Sequence, residues 1–266
     1  MRGGAQCHLV EAAGDRFYVL KARNNPQHRR ILVNEWLASE FLRYLRVPAP
    51  EAAILDITPE LLAAEPGLAI QLGKSTVPVE PGWHFGSRFP GDPATTAVFN
   101  FLPDQLLAGV ANRRDFLGAF VFDKWTSNAD ARQSIFFRAH VQSGSEDEPP
   151  GSRPGYVARM IDHGFIFEGP NWTLGSAPLQ GLYHRRSVYA QVSGWRDWEP
   201  WIEWVRSFPE QVADSALAGI PADWLPGGDY EALTALLTQL MERRKRIADL
   251  IEDTHRAVNG LFPNWR

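Results

Sequence analysis

The pattern of apolar and polar positions changes character several times along the chain. Arg16 to Ala22 is rich in aromatic and β-branched side chains and predicts a strand. Gly14-Asp15 supplies a turn before it, and His8-Leu9-Val10 a hairpin partner. Asn24-Asn25-Pro26 ends the strand. From about Arg29 to Leu45 the apolar positions take helical spacing, with Ile31, Leu32, Trp36, Leu37, Phe41, Leu42 and Leu45 on a broad face. Val47-Pro48-Ala49-Pro50 closes that helix, because a residue before proline is driven out of the α region.

Two short strands are predicted at Glu51 to Ile57 and Leu68 to Leu72. Between them Thr58-Pro59 opens a short helix, with a threonine cap and proline at the first helical position. Residues 74 to 93 hold Pro78, Pro81, Gly82, Gly86, Pro90, Gly91 and Pro93, and predict a loop. The loop marks a boundary between a first unit, residues 1–75, and a mainly helical second unit, residues 76–266.

In the second unit a helix is predicted around Phe116 to Thr126, then a strand pair at Ser134 to Arg138 and Tyr156 to Asp162. The polar stretch Gln142 to Pro154 between those strands reads as an exposed, mobile loop. Trp195, Trp198, Trp201 and Trp204 step by three, which predicts a drifting aromatic ridge on a helix, used in packing. Tyr230 to Val258 forms one long helix or two. The run Arg243-Arg244-Lys245-Arg246 inside it reads as a solvated helix face.

Composition narrows the class without naming a function. With 266 residues, 44% hydrophobic and 22% charged, the chain folds into an ordinary globular core. A net charge of −4 gives no field for nonspecific nucleic-acid binding. Cys7 is the only cysteine, so neither an intramolecular disulfide nor a cysteine-based zinc site is available, which fits a reducing compartment. Cys7 itself reads as a small half-buried hydrophobe. Residues Met1 to Gln6 carry no apolar signal-peptide core, and no stretch reaches the roughly 18 apolar residues of a membrane span. A cytoplasmic protein with no membrane or nucleic-acid partner is expected.

Four features recur in an order that makes chemical sense. Gly3-Gly4-Ala5-Gln6 is a small-residue stretch that serves either as a plain turn or as a cradle whose backbone N–H groups approach phosphate oxygens. Lys21 at a strand end and Glu35 on the next helix can form an ion pair that steadies an amine against phosphates. Phe122 to Phe137 runs from a helix into a polar loop holding Asp123, Asn128 and Asp130, then into a hydrophobic strand. Such a loop can orient a nucleophile with an acid and bind a metal with an amide oxygen. Finally, Val157 to Ile161 is an apolar strand closing on Asp162-His163-Gly164, either a simple turn or a carboxylate placed to bind magnesium. Together these features follow the order of the protein-kinase signature.

The chain resembles the HipA-like kinase family in Tyr18 to Ala22, Asn24 to His28, Asn34-Glu35, Phe122 to Arg132 and Ile161-Asp162. The resemblance implies an α+β, two-lobed protein-kinase-like fold, with a small antiparallel-sheet N-lobe carrying one main helix and a mainly helical C-lobe. It implies ATP with Mg2+ as cofactors, and transfer of the γ-phosphoryl group to a hydroxyl on a protein substrate, a serine or threonine. Asn128-Ala129-Asp130-Ala131-Arg132 matches the family's Asn-x-Asp-x-His stretch, which makes Asp130 the catalytic acid and puts Arg132 in the histidine position. Lys21 and Glu35 complete the catalytic set. Gly3, Gly4, Ala5, Gln6, Lys21 and Gln71 are the expected nucleotide-binding residues.

Where relatives place a metal-binding asparagine this chain has Ile135, so Gln133 (or Ser134) joins Asp162 as metal ligand. A rival register uses Asp123 and Asn128, which have the spacing of ordinary kinases; Asp130 is preferred because the metal ligand should sit just before the exit strand. His163 stands where kinases have phenylalanine, and the glycine stretch begins so near Met1 that a first strand is missing or lies upstream. These departures leave a pseudokinase, a nucleotide-binding or interaction module, as the alternative. A small-molecule kinase would show a His-Gly-Asp motif, and a metal-dependent hydrolase a His-x-x-x-His pair; the chain has neither.

Overall fold

The hairpin at the start of the chain forms as its alternation requires. β1 (His8–Ala12) pairs antiparallel with β2 (Arg16–Lys21), with Leu9 opposite Val19 and Glu11 opposite Phe17. Gly14 and Asp15 both adopt positive φ in the turn between them. The structure, a computed structural model, describes residues 6–142 and 152–265. The chain continues through α1 (Arg30–Tyr44), β3 (Ala52–Ile57), α2 (Pro59–Ala64), β4 (Ala69–Leu72), β5 (Ser75–Pro78) and β6 (Gly82–Arg88). Thr58 caps α2 as expected, its hydroxyl accepting from the Leu61 N–H with Pro59 at the first position.

Residues 74–93 are not a loop. They contain β5, which pairs with β4, and β6, which lies between β2 and β3 in a four-stranded antiparallel sheet of order β1-β2-β6-β3. The glycines and prolines there read as breakers but have other uses. Pro78 closes β5, Pro81 precedes β6, and Gly86 leaves room beneath two neighbours: a Cβ there would lie 2.6 Å from Leu55 Cδ1. The sheet therefore runs to Arg88, and a division at residue 75 would cut through it.

Beyond it come β7 (Val98–Phe99), α3 (Asp104–Ala108), α4 (Asp115–Thr126), β8 (Gln133–Gln142) and β9 (Ser152–Ile161). The predicted strand pair is present and longer than expected, with Gln133 opposite Ile161 at its base. The loop expectation for Gln142 to Pro154 falls largely on residues 143–151, outside the described residues. The chain closes with α5 (Trp201–Arg206), α6 (Glu210–Ala218), α7 (Asp229–Arg243) and α8 (Ile247–Ala257), so the last helical stretch is two helices joined by a 3-10 turn at Arg244–Arg246. The result is a mixed α/β chain of small antiparallel sheets and several helices. Among the described residues no helix is long and apolar enough to cross a membrane.

Two further expectations are corrected. The tryptophan ridge is not one helix: Trp195–Trp198 is a 3-10 turn, and α5 starts afresh at Trp201 after Pro200. Trp198 and Trp201 are buried in the core while Trp195 is exposed. The basic run is not a solvated face either. Arg243 is buried and donates to the carbonyls of Lys124 at 3.1 Å and Leu174 at 3.1 Å, and Arg244 donates to Met241 O at 2.6 Å. Lys245 and Arg246 behave as expected: both are exposed, and Lys245 pairs with Glu242 on the surface at 2.6 Å.

One main apolar cluster joins α1 to the helices that follow β7. Phe41, Trp125 and Phe208 pack within it in tilted and edge-to-face contacts, and Trp36 donates its indole N–H to Ala216 O at 2.9 Å. A smaller cluster of Leu20, Ala22, Ile57, Leu68, Ile70 and Val79 covers the other face of the sheet with the β4–β5 hairpin. α1 is tied to the segment after β9 by Asn34, whose Nδ2 is within bonding distance of the carbonyls of Gly164 (2.7 Å), Ile166 (3.1 Å) and Gly169 (3.1 Å). Its Oδ1 accepts from the Trp172 indole at 2.9 Å. Asn34 is fully buried, so truncation strands those partners. Asn34→Ala is expected to lower unfolding free energy by about 2–4 kcal/mol in urea titrations, since buried unpaired polar groups cost more than a mean hydrogen bond.

Candidate functional site

Lys21 ends β2 as a buried residue, 6% exposed, and two carboxylates reach its ammonium. One is Glu35, on the second turn of α1 and buried; the other is Asp162, whose Oδ1 lies 2.7 Å away. Burial alone would pull Lys21 down, but Glu35 first and Asp162 second hold its ammonium well above the ordinary lysine value. Burial would likewise raise Asp162, yet Lys21, with help from Arg132 and Gln133, keeps it below the ordinary carboxylate value. Glu35 is pushed up by burial against the pull of Lys21. The amine therefore stays charged.

Asp162 sits just after β9 with φ +58°, a left-handed conformation that turns the chain sharply at the strand end. Gly164 follows because a Cβ there would lie 2.5 Å from Ile31 Cγ2 on α1. The other oxygen of Asp162 accepts from Gln133 Nε2 at 3.0 Å, and the same nitrogen stands 3.4 Å from Asp130 Oδ2. Asp130 is half-buried; its Oδ1 accepts the Ala131 N–H at 2.7 Å and its own N–H donates to Asn128 Oδ1 at 3.2 Å. Lys21, Glu35, Asp162, Gln133 and Asp130 thus form one connected set drawn from β2, α1, the α4–β8 loop and the end of β9.

The remaining expected residues fall elsewhere. Gly3, Gly4 and Ala5 lie outside the described residues. Gln6 and Gln71 are joined to each other, the Gln6 amide donating to Gln71 O at 2.7 Å and accepting the Gln71 N–H at 2.6 Å. The Gln71 side chain is occupied within its hairpin, donating to Gly73 O and accepting from Thr76. Ser134 is buried on the opposite side of its strand from Gln133, its hydroxyl unpaired, and Ile135 is half-buried opposite Arg159. Among the described residues no three His, Cys, Asp or Glu side chains converge as a metal cage. Cys7 is half-buried, as read from the sequence, with its thiol pushed up by burial.

The rival carboxylate has a different use. Asp123 is 1% exposed and forms a two-pronged ion pair with Arg132, Nε to Oδ2 at 2.8 Å, while Asn128 Nδ2 donates to its Oδ1 at 2.9 Å. Arg132 Nη1 also donates to Ile161 O and to His163 Nδ1, both at 2.9 Å. His163 is then a neutral imidazole that donates from Nε2 to Met160 O; burial first, and Arg132 beside it, hold its pKa well below the ordinary value. In the histidine position of the motif, Arg132 thus braces the loop from inside.

Lys124 was not singled out by the sequence. Its buried ammonium donates to Pro178 O and Gln180 O at 2.7 Å each, and Arg243 donates to Gly175 O, so two basic residues clamp the backbone of 175–180. That segment adjoins the acid loop, where the Gly181 N–H donates to Asp130 O at 3.1 Å. No local sequence signal marks such a clamp, because all its acceptors are carbonyls.

A strand amine clasped by a helix glutamate and a strand-end aspartate is an arrangement that protein kinases use to hold phosphates. A family model described as HipA-like kinase matches residues 1–136, slightly more than half of the chain, and the chain belongs to that family. The match takes in Lys21, Glu35, Asp130 and Gln133 and stops before Asp162. Membership supports kinase activity. No curated protein matches the chain significantly.

Burial separates the two acids. Asp123→Ala is expected to cost about 3–5 kcal/mol in chemical denaturation, because it leaves Arg132 charged and alone in the core. Asp130→Asn should move stability by no more than about 0.5 kcal/mol. A second measurement concerns Lys124, whose pKa burial lowers from 10.5 to about 8. Between those values the unfolded chain binds more protons, so raising pH favours the folded state. The stability gap between the parent and Lys124→Met should shift toward the parent by up to about 3 kcal/mol across that window, read from urea curves at successive pH values.

Proposed function

We propose that the chain is an ATP- and Mg2+-dependent phosphotransferase that moves the γ-phosphoryl group to a serine or threonine hydroxyl on a protein in the cytoplasm. The observation that carries the reading is the ammonium of Lys21 held between Glu35 and Asp162, with Gln133 bridging Asp162 to Asp130. We take the four-stranded sheet with α1 as a smaller lobe and the helices from α3 onward, with β8 and β9, as a larger one. The backbone from Phe89 to Ala97 connects the two.

The donor set suits magnesium. Asp162 has a side chain 36% exposed, Gln133 is exposed, and both offer hard oxygen ligands beside a third, Asp130. Magnesium is commonly held by one or two carboxylates together with phosphate oxygens and water, so no all-protein cage is needed. Gln133 now presents Nε2 to the carboxylates; as a ligand it would turn its amide to present Oε1. Bound there, the ion would neutralise phosphate charge. Lys21 would hold the phosphates, Glu35 would keep Lys21 aimed, and Asp130 would orient the acceptor hydroxyl and take its proton. The clamped segment 175–180 would form a wall beside Asp130 for the incoming polypeptide.

A second reading, a nucleotide-binding or interaction module without transfer, is favoured by one observation. Both oxygens of Asp162 are already engaged, by Lys21 and by Gln133. Transfer from γ-labelled ATP to protein acceptors decides between the two. Asp130→Asn and Asp162→Asn are each expected to lower transfer by roughly 10²–10⁴-fold, with the melting curve unchanged in Asp130→Asn and a cooperative transition retained in Asp162→Asn, which loses one of the two charges that compensate Lys21. Equal transfer by both variants would remove the assigned roles, and Mg-ATP stabilisation without any labelling would favour the second reading.

A further inference from the structure

A cavity of about 770 Å3 lies where the end of α1, the start of β3, the end of β6 and the β8–β9 pair meet. None of Lys21, Glu35, Asp130, Gln133 or Asp162 lines it. Its charged lining is Arg43, Arg46, Arg88 and Arg159 against Glu40 and Glu51. The carboxylates are spoken for: Glu40 pairs with Arg43, and Glu51 with Arg88 at 2.6 Å. Arg46 and Arg159 have no carboxylate partner and no side-chain hydrogen bond among the described residues.

Each of these two guanidinium groups rests instead on an aromatic ring. Arg46 lies 5.4 Å from the Trp204 ring centroid, and Arg159 lies 5.1 Å from that of Phe137. A cation over a ring face needs no carboxylate, so the N–H donors of both groups stay without a side-chain partner among the described residues, and a guanidinium can give two of them to one oxyanion. Burial first, and the neighbouring Arg88 second, lower the pKa of Arg159 against the opposing pull of Glu51, which is itself paired with Arg88. The space is within the range of small-ligand sites, about 300–1,000 Å3.

We propose that this cavity is a second ligand site, taking a small phosphate-bearing polyanion through Arg46 and Arg159. A monocarboxylate would neutralise one of the two surplus charges, whereas a phosphate dianion or a pyrophosphate neutralises both. The occupant would also draw together α1, which carries Glu35, and β9, which leads into Asp162.

Pyrophosphate without magnesium is the probe, titrated calorimetrically into the full chain. Saturable binding at one site is expected, unchanged in Lys21→Met, and weakened by roughly tenfold or more in each of Arg46→Gln and Arg159→Gln. Arg46 is exposed, so its variant keeps the fold if Arg159→Gln does not, and Arg159→Lys should restore part of the lost affinity. The proposal is overturned if the parent shows no saturable binding, if binding survives both arginine substitutions, or if Lys21→Met, with a folded circular dichroism spectrum, removes it. The readout is binding alone, so it stands or falls separately from phosphoryl transfer.

Discussion

A lysine ammonium taken out of water must be compensated, and that requirement organises this molecule. The Lys21 amine comes from a strand, and its two carboxylates come from a helix 14 residues later and from a strand end 141 residues later. An uncompensated buried ion of this kind would cost several kcal/mol, so the ion pair strongly favours arrangements in which β2, α1 and β9 converge. The surrounding contacts secure the same convergence by other means. Asn34 fastens α1 to the backbone of 164–169, and the absence of a side chain at Gly164 lets that backbone close against Ile31.

A second ionic centre lies close to the first and is built differently. Asp123, Arg132 and His163 are all buried, and every strong donor or acceptor among them is engaged inside the protein. Arg132 also holds Ile161 O, one residue before Asp162, so it steadies the strand end from which that carboxylate projects. The division follows exposure. The fully buried acid holds the loop in shape, while the half-buried acids, Asp130 and Asp162, remain reachable from solvent. Two carboxylates seven residues apart, Asp123 near the end of α4 and Asp130 in the loop after it, thus have different surroundings, set by the fold and not by residue type.

This division explains what could be read from the sequence. Lys21 and Glu35 were legible only together with the later acidic motifs: either alone reads as a surface charge, and it was the order strand amine, helix acid, acid loop and strand-end aspartate that singled them out. Asp130 could be preferred over Asp123 because Asp123 falls within a helical run. β6 was missed because glycine and proline were counted as breakers, although Gly86 makes room for Leu55 and Tyr18 across the sheet. Its role as an inner strand depends on partners distant in sequence. The clamp of Lys124 and Arg243 was missed for a related reason: a carbonyl acceptor leaves no mark in residue identity. Arg243 was read as a solvated charge because its neighbours Arg244, Lys245 and Arg246 suggested one common environment, whereas adjacent positions on a helix face different ways.

Charge balance gives the last step. Lys21 contacts Glu35 and Asp162, and Gln133 links Asp162 to Asp130, so the connected set holds one ammonium and three acidic side chains. With the carboxylates ionised such a centre carries surplus negative charge and would repel phosphate. On the proposed reading a divalent cation removes that surplus and supplies the attraction that the protein's own charges lack. Metal and nucleotide should therefore bind cooperatively, each favouring the other through the same carboxylates. The cavity lined by Arg46 and Arg159 has the opposite balance, two guanidinium groups in excess, and needs no metal to attract an anion. The two regions differ in what they require of a phosphate ligand, although walls of both are built from α1 and β9.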